Sequence, residues 1–267
     1  MLPQPEDSLS RTLRPHTTLQ QYHILLVHDT LPHETSSVDG LLWQGTLHHQ
    51  EVVLLQCGMG PERAAQAVLW LGQHFQLTGV LSVGFAGALQ AELRPGDALL
   101  VTYILAQEDV ARTASRAAGS SIRPDARLAH IAAMAVAQAA VVSHTGTLLS
   151  TTAVVAPAAA KQALGQHSGA LAVDMESYSV GQMAAQRHVP FAVLRTIFDA
   201  SHENMSLPVA TCTTADGSLR PLRLVGCFAC RPWLLLQLPH WWWASQVAGR
   251  HLQCWLQYFF LLLSQGA

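Results

Sequence analysis

The chain has 267 residues, 50% of them hydrophobic and only 12% charged, with 15 Lys and Arg against 17 Asp and Glu. That length fits one large α/β domain or two small ones, and the apolar share excludes a disordered chain while leaving ample material for a buried core. A net charge of −2 provides no basic footprint for a phosphate backbone, so small molecules or lipids are expected partners and nucleic acid is not.

Residues 1–21 read as a disordered leader, because Glu6 and Asp7 stand where a signal peptide would carry an apolar run. A cytoplasmic protein is therefore expected. From residue 22 to residue 223 short apolar runs alternate with helical patterns, which predicts a three-layer α/β domain whose mostly parallel central sheet is flanked by helices. Residues 23–28 (HILLVH) and 51–57 (EVVLLQC) read as strands, and 61–75 as a helix with Pro61 at its first position and Glu62 in its first turn. Residues 79–83 (GVLSV) and 98–105 read as buried strands, and 124–139 as an Ala-rich helix. The uncharged stretch 128–160 divides at Ser143, His144, Gly146, Ser150 and Pro157 into a helix, a strand and a loop rather than a membrane span. A strand at 171–174, a helix at 176–188 and a strand at 191–198 complete a βαβ unit.

Residues 224–267 form a Trp/Leu-rich C-terminal segment, expected to pack on the domain, at a subunit interface or on a membrane. Pro232, Pro239 and Arg250 interrupt any clean span across a bilayer. The five cysteines include one CxxC, Cys227 and Cys230, without the second ligand pair that zinc requires, so no metal is expected. A single lysine, Lys161, stands among the 15 basic residues.

In such sheets a ligand lies outside the carboxyl ends of the strands, which directs attention to four places. Gly58 and Gly60 with Arg63 follow one strand, where glycines permit a tight turn and close backbone approach; ordinary turn chemistry explains them equally. Gly84 to Ala88 follow another. Asp174, Met175 and Glu176 open a helix after the third, and Asp199 ends the fourth. In a chain with so few charges, carboxylates flanked by apolar runs are candidates for chemistry, although helix capping or pairing with Arg195 would also explain an acid there. The glycine runs lack the spacing of a dinucleotide fingerprint and the Gly-Lys-Ser/Thr of a P-loop, which disfavours a nicotinamide-dependent oxidoreductase.

Taken in order, CGMGPERAA, VGFAGAL with LRPGD, VDMES and PFAVLRTIFD resemble the nucleoside phosphorylase and nucleosidase superfamily, including the methylthioadenosine/S-adenosylhomocysteine nucleosidases. The resemblance implies cleavage of the bond between ribose and a purine by phosphorolysis or hydrolysis, without a cofactor and with phosphate as a conceivable co-substrate. It implies that Glu176 grips the ribose hydroxyls with Met175 against the sugar, and that Asp199 is the general acid at the base. It further implies Glu34 as the activator of water, Ala86 and Gly87 on the nucleophile side beside Gly58 and Gly60, and Val154 at the base. Ser82, Phe85 and Phe198 depart from the superfamily's usual residues; Arg63 is the candidate substitute cation for phosphate. Those departures also motivate a competing expectation, a catalytically inert nucleoside-binding or scaffold protein. The run ADGSLRPLRL and the tail resemble the hopanoid-associated phosphorylase branch, which implies a lipid-linked adenosine nucleoside as substrate, a role in hopanoid biosynthesis and a peripheral membrane contact. The superfamily resemblance also implies a homo-oligomer.

Overall fold

The computed structural model describes residues 9–11, 21–27, 41–108, 121–205 and 232–266. Its strands are β1 (Leu9–Arg11), β2 (Gln21–Val27), β3 (Leu41–Leu47), β4 (Gln50–Gln56), β5 (Gln76–Ala88), β6 (Ala98–Ala106), β7 (Ser121–Ile122), β8 (Ser143–Ser150), β9 (Ala172–Asp174) and β10 (Phe191–Asp199). The helices are α1 (Pro61–His74), α2 (Ala126–Gln138), α3 (Ala158–Ser168), α4 (Ser177–Gln186) and α5 (Leu238–Ser264), the last entered through a 3₁₀ turn at Pro232–Gln237. Glu34, the CxxC and the run ADGSLRPLRL lie outside the described residues.

The strands form one sheet in the order β1-β3-β4-β2-β5-β10-β6-β8-β9, with β7 on β6. The neighbours β4, β2, β5 and β10 are parallel, as a βαβ pattern requires. Strand β6 runs antiparallel to β10 and begins a second parallel set with β8 and β9. The sheet is thus mixed, with its parallel core where the apolar runs predicted it.

Strand β5 is longer than the sequence pattern suggests. The segment GFAGA reads as a turn, yet it continues the strand, pairing with β10 as far as Gly87 and then with β9 through Gly87–Val173 and Ala88–Ala172. Glycines and alanines provide no bulk to resist that bend, so β5 joins both ends of the run β10-β6-β8-β9 and closes it into a ring. The carboxyl ends of β5, β9 and β10 meet at the closure.

Two apolar layers cover the sheet. Helix α1 starts on Pro61 and buries Ala64, Ala67, Val68 and Leu71, a single stripe at helical spacing, beside Val180 and Ala184 of α4. On the other face Asp125 caps α2 by accepting the Leu128 N–H at 3.0 Å, and α2 packs against α5. The C-terminal helix is continuous for 27 residues: Pro239 lies in its first turn, where a missing N–H is harmless, and Arg250 points outward. Its last half buries Trp255, Phe259 and Phe260 completely, and the Trp255 indole donates to the Ala132 carbonyl at 2.8 Å. Its first turns expose Trp242 and Trp243. No helix among the described residues is long and apolar enough to cross a membrane.

Candidate active site

The site is assembled where the strands close. After β4 the chain turns through Gly58 and Gly60 into α1. Gly60 has a φ of 112°, a conformation open to glycine and strained for other residues. It directs its N–H at Glu176 Oε1, 2.8 Å away and 116 residues on in the chain. Glu176 itself is the N-cap residue of α4 and is buried. Its other oxygen lies 3.3 Å from the Met175 N–H. A carboxylate held by backbone donors at a strand end is suited to accepting hydrogen bonds from hydroxyl groups.

Beneath Glu176 lies a buried charged network. Asp174 ends β9 and pairs with Arg195 of β10, whose Nε and Nη2 stand 3.0 and 2.9 Å from Oδ2. Ser150 donates to Asp174 Oδ1 at 2.5 Å, while the Ser177 N–H and hydroxyl both donate to Oδ2. Arg195 Nη2 also reaches Ser82 Oγ at 2.9 Å and Ser177 Oγ at 3.0 Å, tying β5, β9, β10 and α4 together. Arg195 Nη1 is buried with no hydrogen-bond partner among the described residues. The acid that Arg195 neutralises is therefore Asp174 rather than Glu176. Cys57, at the end of β4, has its thiol pushed up to about 12, chiefly by burial and secondarily by the nearby Glu176 carboxylate, against Arg195 and Arg63.

Asp199 ends β10 opposite Gly87 of β5, which in turn pairs with Val173 of β9. One strand register thus aligns Asp199, Gly87 and the segment leading to Glu176. A Cβ on Gly87 would stand 3.1 Å from Asp199 Oδ1, so the glycine keeps that oxygen uncovered. Burial raises the Asp199 pKa, and the Lys161 ammonium, hydrogen-bonded to Oδ2, opposes the rise without cancelling it. Burial thus favours the protonated form of this carboxyl.

The sequence-predicted residues Gly58, Gly60, Met175, Glu176, Gly87 and Asp199 converge on this end of the sheet. Ala86 is buried in the layer under α1 and α4. Val154 sits half-buried in the loop after β8, which Thr151 ties to the Asp174 carbonyl. Arg63 lies in the first turn of α1, close enough to act on the Cys57 thiol. Phe85 and Phe198 stack on each other with centroids 5.8 Å apart, and Phe85 approaches Gly249 of α5. These two departures from the superfamily pattern therefore pack toward the C-terminal helix. Sequence spacing did not single out Ser82, Ser150, Ser177 or Lys161 as site residues. The one available signal for Lys161 was its rarity. Among the described residues no group of three His, Cys, Asp or Glu side chains could hold a metal ion.

The Phosphorylase superfamily matches residues 18–216. A 5′-methylthioadenosine/S-adenosylhomocysteine nucleosidase of Halalkalibacterium halodurans is 29% identical over 164 residues, 59% of this chain and 71% of that protein. Its counterpart from Oceanobacillus iheyensis is 25% identical over 173 residues, 62% of this chain and 75% of that protein. Among solved structures, the nucleosidase of the same type from S. pneumoniae, bound to a transition-state inhibitor, superposes with a TM-score of 0.66 at 20% identity, covering 91% of this chain and 100% of that one. The superposition shows a shared fold.

Proposed function

The chain belongs to the phosphorylase superfamily, and from that premise we propose that it cleaves the N-glycosidic bond of a purine nucleoside with water as acceptor. The observation that carries this reading is a pair of buried carboxyl groups in contrasting settings. Glu176 accepts hydrogen bonds from the Gly60 and Met175 N–H groups, while burial favours the protonated form of Asp199 beside the Lys161 ammonium. As the bond from C1′ to N9 breaks, its electron pair enters the purine. Asp199 gives a proton to N7, and the sugar develops oxocarbenium character. The Glu176 carboxylate, gripping the ribose hydroxyls, stabilises that positive charge. Water adds to C1′ and loses a proton to a base, the role expected of Glu34.

Water is favoured over phosphate because Arg195 is engaged by Asp174, and Lys161 by Asp199. Arg63, in the first turn of α1, also has an interaction within the protein. The names of the relatives support an adenine nucleoside such as methylthioadenosine. A lipid-linked nucleoside of the hopanoid type is a second reading, favoured by the exposed Leu236 of the 3₁₀ turn and Trp242 at the start of α5, 83% and 69% accessible.

The test is adenine release from methylthioadenosine, adenosine and an adenosylated hopanoid, with and without phosphate. Release without phosphate is expected, and Asp199→Asn or Glu176→Gln should each lower kcat/KM by about 100-fold or more. Release that requires phosphate would make the protein a phosphorylase. No release from any of them would leave an inert nucleoside-binding protein.

A further inference from the structure

Lys161 is the one lysine in the chain. It is completely buried in the first turn of α3. Its ammonium donates to Asp199 Oδ2 and, at 2.9 Å, to the Ala200 carbonyl. The other carboxyl oxygen, Oδ1, faces Gly87. Resting on the nucleosidase reading, we propose that Lys161 is the positioning residue of the general acid. It makes Oδ2 the hydrogen-bonded carbonyl oxygen, leaves Oδ1 to carry the proton to N7, and sets how readily that proton is given up.

The choice of side chain supports this. A chain that otherwise uses arginine for every basic position places its lysine here. Arginine is a planar fork that engages both oxygens of a carboxylate, whereas an ammonium is a point donor that can hold one and leave the other. The ammonium is also fixed in place. Asn204 Oδ1 accepts the Ala158 N–H at 2.9 Å, and the Met205 N–H donates to the Ala156 carbonyl at 2.9 Å. The start of α3 and the segment after Asp199 are thereby stitched together.

Among the described residues, the charged groups acting on Asp199 are Lys161 from α3 and Glu203 from the segment after β10; His240 of α5 pairs with Glu203 at 3.0 Å. Burial and Glu203 raise the acid, and Lys161 is the side chain that opposes them. When the proton leaves Oδ1 for N7, the electron pair of the O–H bond stays on Asp199. The resulting carboxylate is then paired with an ammonium already in position, so negative charge developing in the transition state is stabilised.

The experiment compares wild type with Lys161→Met and Lys161→Arg on two substrates across pH. Methylthioadenosine needs a proton on its leaving base; p-nitrophenyl β-D-riboside does not, because nitrophenolate departs as an anion. For Lys161→Met, kcat on methylthioadenosine should fall about 100-fold with KM little changed. The alkaline limb of its pH profile should move to higher pH, since the unopposed acid holds its proton longer. The nitrophenyl riboside should lose far less. Lys161→Arg keeps the charge but occupies both oxygens, so it too should lose the purine substrate selectively; it carries the test if the Met variant does not fold. Equal loss on both substrates, or a folded variant with wild-type kcat and pH profile, would overturn the proposal. A wild-type protein that cleaves neither riboside would instead overturn the nucleosidase reading.

Discussion

Glu176 and Asp174 stand two residues apart, yet they do different work because of what faces them. Asp174 receives Arg195 and the serines, so its charge is consumed within the protein, while Glu176 receives the backbone N–H groups of Gly60 and Met175. Removing the cation should therefore be felt as lost stability before it is felt as lost chemistry. Arg195→Met strands a buried carboxylate, a change that costs about 3–5 kcal/mol. At about 2–4 °C per kcal/mol for a chain of this size, calorimetry should show the melting temperature falling by about 6–20 °C. A shift of only a degree or two would mean that the Arg195–Asp174 pair contributes little to the fold. The pairing itself was half legible. Arg195 sits in an apolar strand, PFAVLRTIFD, where an unpaired cation is improbable, but strand spacing does not say which acid it meets. That choice depends on β9 lying near β10 across the closed sheet, a long-range fact.

The same limit explains what was legible among the elements. Helices α1 and α2 announce themselves by Pro61, by Asp125 and by apolar residues at helical spacing. Helix α3 does not, because AAAKQALGQHS has only a weak apolar stripe and buries Lys161, Gly165 and Ser168. Its helical face is defined by the site it serves rather than by a hydrophobic core. The end of β5 was hidden for the opposite reason: its glycines resemble a turn, and only pairing with β9 and β10 makes them strand. The C-terminal helix was legible as apolar but not as an integral layer. It covers α2 and β10, Thr196 Oγ1 donates to the Ala248 carbonyl at 3.1 Å, and a His251 ring nitrogen donates to the Gly96 carbonyl at 2.8 Å. Trp255 is its anchor, fully buried with its N–H satisfied. Trp255→Ala should cost about 3–5 kcal/mol, read as a lower midpoint in urea with the slope unchanged. A loss below about 1 kcal/mol would mean that α5 contributes little to the fold, since full truncation of a buried Trp normally costs several times that.

Across the whole molecule the apolar half of the composition divides into two unequal parts. Most fills the layers on either face of the sheet, including the last half of α5. Among the described residues, five of the seven exposed large apolar side chains, Leu235, Leu236, Leu238, Trp242 and Trp243, are gathered at one end; the others are Leu69 and Val142. Residues 232–249 contain no Asp, Glu, Lys or Arg, so this end offers an aromatic and aliphatic surface without charge. Tryptophan combines a large apolar ring with one polar N–H, which suits the boundary between lipid headgroups and acyl chains. If the substrate is lipid-linked, this surface would bring the enzyme to it through apolar contact rather than electrostatics, as the net charge of −2 also requires. The protein should then float with vesicles of neutral phosphatidylcholine, and neither added salt nor anionic lipid should strengthen the association. Replacing Trp242 and Trp243 by serine should abolish flotation while leaving cleavage of soluble methylthioadenosine intact, because neither residue belongs to the site at the strand ends. Vesicles that leave the wild-type protein in the pellet, with the double variant changing its sedimentation coefficient instead, would assign the same surface to contact between copies of the chain.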